Sequence, residues 1–176
     1  SFFFFFSLKI LVAQIRMLDA KTADKSVDEL LQFVFDDEKS IANYFLKVSS
    51  GAIEMKGEVI TGLTLNKNVK DYCQIIDNET GAGTQCNNEQ LAADVYALLL
   101  ASATVDADLF AFVIHGYGEA GWGEAYNRRT LLNPYAVSIS TMFIHELAHV
   151  FGWWHSGSIS STNPEQSSLN CISSST

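Results

Sequence analysis

The sequence predicts a layered α/β domain, and three observations point to it. Residues 89–103 (EQLAADVYALLLASA) form a helical run that is apolar nearly all round. Residues 107–114 (ADLFAFVI) form an apolar stretch of strand length, and residues 8–17 form another. Strands alternating with helices favour a sheet covered by helices over a helix bundle. At 176 residues, 48% of them hydrophobic and 18% charged, the chain is long and apolar enough to bury one substantial core.

The chain opens SFFFFFSLKILVAQIRMLDA. Residues 2–6 read as a targeting remnant, with a small residue such as Ala13 or Ala20 at the cut, and residues 8–17 as the first strand. Residues 25–47 place Val27, Leu30, Leu31, Val34 and Phe35, then Ile41, Ala42, Phe45 and Leu46, at helical spacings on either side of DDEK. That pattern predicts two helical pieces or one kinked helix, ended by SSG, whose glycine takes a left-handed cap cheaply. Residues 52–65 (AIEMKGEVITGLTL) are rich in β-branched side chains and predict one or two strands. Residues 66–88 read as a polar loop. The helix at 89–103 is expected to be mostly buried because it is apolar on nearly every side. After the strand at 107–114 comes a glycine-rich loop, HGYGEAGWG, and residues 156–176 are serine-rich and loop-like.

A net charge of −9 and a pI near 4.7 argue against a nucleic-acid partner, which requires a basic face to displace counterions. No Lys/Arg cluster occurs. No stretch reaches the roughly 18 apolar residues that a membrane span needs. Of the three cysteines, Cys73 and Cys86 lie close in sequence and suit a disulfide in an oxidising compartment; three free thiols in a reducing cytosol is the alternative. Cys171 is left over.

Three of the four histidines fall within HELAHVFGWWH, residues 145–155. On a helix, i and i+4 share one face, so His145 and His149 can turn their rings to one ion about 2.0–2.1 Å away. Glu146 is offset around the helix, where its carboxylate reaches a water beside the ion without becoming a ligand, the place of a general base. Catalytic zinc needs a third protein ligand. Gly152 allows the helix to end in a left-handed turn, after which His155 can swing back to the metal. Ser138, Ser140 and Thr141 follow Asn133-Pro134, and any of them could cap the helix start. Five fixed identities at this spacing arise by chance on the order of once in 10^5 sequences of average composition, so zinc is favoured over incidental histidines. His115 stands alone at a strand end and reads as structural. Trp153 and Trp154 read as packing beneath the site.

Those eleven residues resemble the extended HExxHxxGxxH zinc signature of the metzincin metalloproteases. Residues 40–62 (SIANYFLKVSSGAIEMKGEVITG), 107–126 (ADLFAFVIHGYGEAGWGEAY) and 140–156 (STMFIHELAHVFGWWHS) are similar to segments of the gametolysin (autolysin) family. Reprolysin-like proteases are the nearest competitor. The resemblance implies a mixed twisted sheet with a backing helix and an active-site helix. It implies an upper subdomain over residues 8–152, behind a remnant and first strand within 1–20, and a short or truncated lower subdomain at 153–176. It also implies a secreted enzyme acting on extracellular or cell-wall polypeptides, with Zn2+ on His145, His149 and His155 and Glu146 as base. Gly123, Glu124, Ala125 and Tyr126 would form the edge strand along which an extended substrate lies, a mode with independent physical sense because an unpaired edge hydrogen-bonds a peptide.

The chain departs from the family in its tail. Where the family has a methionine turn beneath the zinc, this chain reads NCISSST, with Ser173 at the methionine position; its methionines are Met17, Met55 and Met142. Arg128 and Arg129 stand where the family often has a cysteine, which leaves Cys171 without that partner. These departures keep a second function open, a zinc-stabilised domain that binds peptides or proteins without cleaving them.

Overall fold

The computed structural model describes residues 6–21, 24–78, 81–102, 105–119, 121–124 and 127–153. Their centre is a five-stranded, mostly parallel sheet. β1 (Phe6–Met17) runs between β2 (Ile53–Leu65) and β5 (Leu109–His115), parallel to both. β7 (Arg129–Leu132) continues the parallel set beyond β5, and β6 (Gly121–Glu124) closes that side as an antiparallel edge strand. The mixed α/β fold expected from the sequence is therefore present.

β1 and β5 are covered on both faces, which is why they read as continuous apolar runs rather than alternating ones. Alternation still decides which side each residue serves. Ile10 and Val12 of β1 and Leu109, Ala111 and Val113 of β5 face one core. That core is completed by α1 (Val27–Leu31), α2 (Ile41–Val48) and α4 (Ser140–Val150), through Leu30, Ile41, Phe45, Phe143 and Leu147. Leu11, Ala13 and Ile15, with Phe110, Phe112 and Ile114, face a second core covered by α3 (Asn88–Ser102).

The two helical pieces expected at 25–47 are α1, extended through a π-helical segment (Gln32–Asp36), and α2, with the acidic turn between them. Ser26 and Glu29 form a reciprocal capping box at the start of α1, and Ser40 caps α2. Residues 52–65 give one strand rather than two.

Several expectations are corrected. Phe6, assigned to a targeting remnant, is the first residue of β1 and pairs with Ile53; residues 2–5 lie outside the described set. Residues 66–88 are not simply a loop. They hold a 3-10 turn (Val69–Asp71) and a hairpin of β3 (Cys73–Asn78) with β4 (Gly81–Cys86). β4, GAGTQC, has few residues of high strand propensity, and it is a strand because β3 pairs with it and a Cys73–Cys86 disulfide joins the first and last residues of the hairpin. α3 buries only Leu91, Ala92, Val95 and Leu99, while Leu100 is 53% exposed. Lying on the outside of the sheet, α3 has only one face in the core, whatever its composition. β7 was not anticipated, since a four-residue stretch that begins with the second of two arginines carries no periodic signal; Leu131 and Leu132 are nevertheless fully buried.

The disulfide closes a loop across a sequence separation of 13. Replacing both cysteines with serine is expected to lower unfolding free energy by about 3 kcal/mol, the chain-entropy value for a loop of this size. Urea denaturation of parent and double variant measures it.

Candidate active site

α4 is held by its apolar stripe. Phe143, Leu147 and Val150, spaced four and three residues apart, are buried in the first core, which turns His145, Glu146 and His149 away from it. The two histidines do what the i, i+4 spacing requires. Their Nε2 atoms stand 3.2 Å apart, with ring planes at 87°. Two ligands on a tetrahedral zinc, each about 2.0–2.1 Å from the ion, would have nitrogens about 3.3 Å apart, so the pair fits. His149 Nδ1 lies 2.7 Å from the Trp153 carbonyl oxygen, which can only accept. Nδ1 therefore donates to it, and in that tautomer the Nε2 lone pair is the one presented towards His145. A backbone carbonyl fixing the tautomer in this way is a recurring support for metal-ligating histidines.

The turn that supplies this carbonyl was legible in the sequence. Gly152 adopts φ 81°, and the N–H groups of Gly152 and Trp153 donate to the carbonyls of His149 and Ala148 at 2.9 Å each. This is the Schellman closure, for which glycine is preferred because it has no Cβ to clash in the left-handed region. At the other end of α4 the expectation fails. Ile139 occupies the N-cap position and no side chain caps it, so none of Ser138, Ser140 and Thr141 has that role. Trp153 is likewise corrected. Its side chain is 59% exposed rather than packed beneath the site, because the left-handed turn carries it outward.

β6 lies directly on α4. A Cβ built on Gly123 would stand 2.3 Å from the Glu146 carbonyl oxygen and 2.9 Å from His149 Cβ, and one on Gly121 would stand 2.5 Å from Glu146 Cγ. The expected edge strand thus exists but begins earlier, at Gly121, and includes Gly123 and Glu124. Ala125, Tyr126, His155, Trp154, Cys171 and Ser173 lie outside the described residues. Among the described residues, no group of three or more His, Cys, Asp or Glu side chains is placed to hold a metal ion.

Glu146, under Gly121, is partly shielded from water, and burial together with the charge of nearby Glu119 pushes its carboxyl pKa up to about 7. Sequence reasoning missed Glu119. Its carboxylate accepts the Cys86 N–H at 2.8 Å and Asn88 Nδ2–H at 2.8 Å, and the Tyr117 hydroxyl lies 3.0 Å away. Burial and then the negative charge of Glu119 push the Tyr117 hydroxyl pKa upward. Only one cue was available, an acid within a glycine-rich loop, and its donors come from elements distant in sequence.

His115, read as structural, is fully buried at the end of β5. Its Nε2 lies 3.1 Å from Gln14 Oε1, which also accepts the Lys25 N–H, so the ring ties β5 to β1 and to the segment before α1. No family model matches the chain, and no curated protein matches it.

The closeness of β6 to α4 is directly testable. Gly123→Ala is expected to cost about 1–3 kcal/mol by overpacking, since the obstruction is backbone that cannot rotate aside. Trp153→Ala, at an exposed side chain, should stay within about 0.5 kcal/mol of the parent. Urea midpoints of the two variants provide the comparison.

Proposed function

We propose that the chain is a zinc-dependent endopeptidase of metzincin type, secreted and acting on extended polypeptides. The observation that carries this reading is the His145–His149 pair: two Nε2 atoms at zinc-ligand separation, one with its tautomer set by the Trp153 carbonyl, on a helix that also bears Glu146. His145 and His149, with His155 as the third donor, would hold Zn2+, which supplies Lewis acidity toward a scissile carbonyl and lowers the pKa of water.

The chain's own residues supply the remaining functions. Glu146, whose affinity for a proton is raised by burial and by the charge of Glu119, would take a proton from water and return it to a leaving amine. β6 is the sheet's edge, so its outer backbone groups can pair with a peptide laid along it, directly over α4. Gly123 lets the strand approach the helix backbone and Gly121 lets it rest on the Glu146 side chain, which brings such a peptide close to Glu146. The Cys73–Cys86 disulfide suits an oxidising compartment and supports secretion. No helix among the described residues is long and apolar enough to cross a membrane.

The test compares cleavage of an unstructured protein substrate by the zinc-loaded chain and by Glu146→Gln at equal zinc content. The parent should cleave, with turnover in the variant reduced by about 10² or more, the usual contribution of a general base. Full turnover in Glu146→Gln would sink the assignment. Chelation of the parent should abolish cleavage and lower the melting temperature, because ligand binding to the folded state stabilises it. A melting temperature indifferent to chelator and to added zinc would remove the metal from the reading. Zinc retention without cleavage by the parent would favour the alternative, a zinc-stabilised binding domain.

A further inference from the structure

β6 is short and, among the described residues, lies at the sheet edge and is paired along one side only, so its position over α4 depends on what fixes its ends. β7 holds it laterally through the register Gly121↔Leu132 to Glu124↔Arg129. Its leading end is approached through the loop after β5, where Glu119 collects contacts from three directions. The carboxylate accepts the Cys86 N–H at the end of β4 and Asn88 Nδ2–H at the start of α3, each at 2.8 Å, and the Tyr117 hydroxyl lies 3.0 Å away. The Glu119 backbone carbonyl accepts Asn133 Nδ2–H, also at 2.8 Å, from the residue following β7. The hairpin grips the same loop from outside, for a Cβ on Gly118 would stand 2.3 Å from Thr84 Cγ2. Cys86, whose amide meets Glu119, is fixed in turn by its disulfide to Cys73.

We propose that Glu119 is a positioning residue: by gathering the ends of β4 and α3, Tyr117 and Asn133 around one side chain and its carbonyl, it sets where β6 begins and hence how closely β6 lies on α4. Carboxylate hydrogen bonds are stronger than neutral ones, and two N–H donors, with the Tyr117 hydroxyl shared between Glu119 and Asn88 Oδ1, converge on one group that is only partly in water. Because β6 meets α4 at Gly123 through the Glu146 carbonyl and His149 Cβ, which cannot rotate aside, a shift of the strand is passed to the helix there, and at Gly121 it is met by the Glu146 side chain itself. It alters directly the space above Glu146. The effect on catalysis rests on the endopeptidase reading; the effect on β6 does not.

The experiment uses the full zinc-loaded chain and reads two quantities, amide hydrogen exchange in the β6–β7 and β1–β5 ladders, and kcat and KM on an unstructured peptide. In Glu119→Ala, exchange at β6–β7 should rise by about tenfold or more, the equivalent of losing a hydrogen bond to a charged group. Exchange at β1–β5 should stay parental, and kcat/KM should fall by about 10², the effect of a misplacement of roughly 1 Å at a reacting site. Glu119→Gln retains one carbonyl acceptor but sets an NH2 donor against the remaining donors, so it should recover only part of the β6 protection and give a rise smaller than that of Glu119→Ala. Tyr117→Phe removes a single donor and should give a smaller rise confined to the same ladder; it carries the test if Glu119→Ala does not fold.

Parental β6–β7 exchange in Glu119→Ala, or in Tyr117→Phe where that variant carries the test, overturns the proposal. So does an equal rise in both ladders, which marks general destabilisation. If the parent cleaves nothing while β6–β7 exchange responds as described, the endopeptidase reading fails and the positioning role stands.

Discussion

The contact between β6 and α4 is the constraint on which the rest of the site depends. Edge strands usually meet a neighbouring helix through a layer of side chains, which can repack when either element moves. Here that layer is missing at Gly123, which has no room for a Cβ against the Glu146 carbonyl, and at Gly121 the strand lies on the Glu146 side chain. Helix and strand are thereby locked at short range. α4 is fixed on its other side by Phe143, Leu147 and Val150 in the core, and β6 is fixed by β7, which is held by β5 at the centre of the sheet. The two histidines and Glu146 inherit their positions from this arrangement.

The same closeness shapes the electrostatics. Glu146 lies under Gly121, where loss of water raises its pKa, and the charge of Glu119 adds to that effect. Glu119 meets a different environment, one lined with donors from Cys86, Asn88 and Tyr117. Two neighbouring carboxyl groups in unlike surroundings are a recurring means of giving chemically identical side chains different roles. His149 is tuned by backbone instead: the glycine turn at 152 returns the chain so that the Trp153 carbonyl reaches Nδ1. Its ring is set by local chain geometry, Glu146 by a neighbour from another element.

How much could be read beforehand depended on whether the relevant physics is local. The helices flanking the acidic turn, the strand at 8–17, the strand at 107–114 and the pairing of Cys73 with Cys86 are expressed in short stretches through periodicity, β-branching or close spacing. β4 and β7 are not. Each is short, neither alternates clearly, and each is a strand because a partner lies beside it. Exposure failed for a related reason. Composition placed α3 and Trp153 in the core, but α3 has sheet on one side only and Trp153 follows a turn that points outward.

By itself the sequence determined the α/β class, the zinc-type spacing of His145 and His149, the adjacent glutamate and the left-handed turn at Gly152. All of these follow from helical repeat and the conformational freedom of single residues, which act over a few positions. Only the tertiary structure decided that β6 starts at Gly121 and touches α4, that the half-buried Glu146 feels the charge of Glu119, and that Glu119 bonds the end of the disulfide hairpin and the start of α3. Those facts require groups far apart in the chain to meet. Their positions are set by the whole packing of the sheet against its helices, and no short window of sequence carries them.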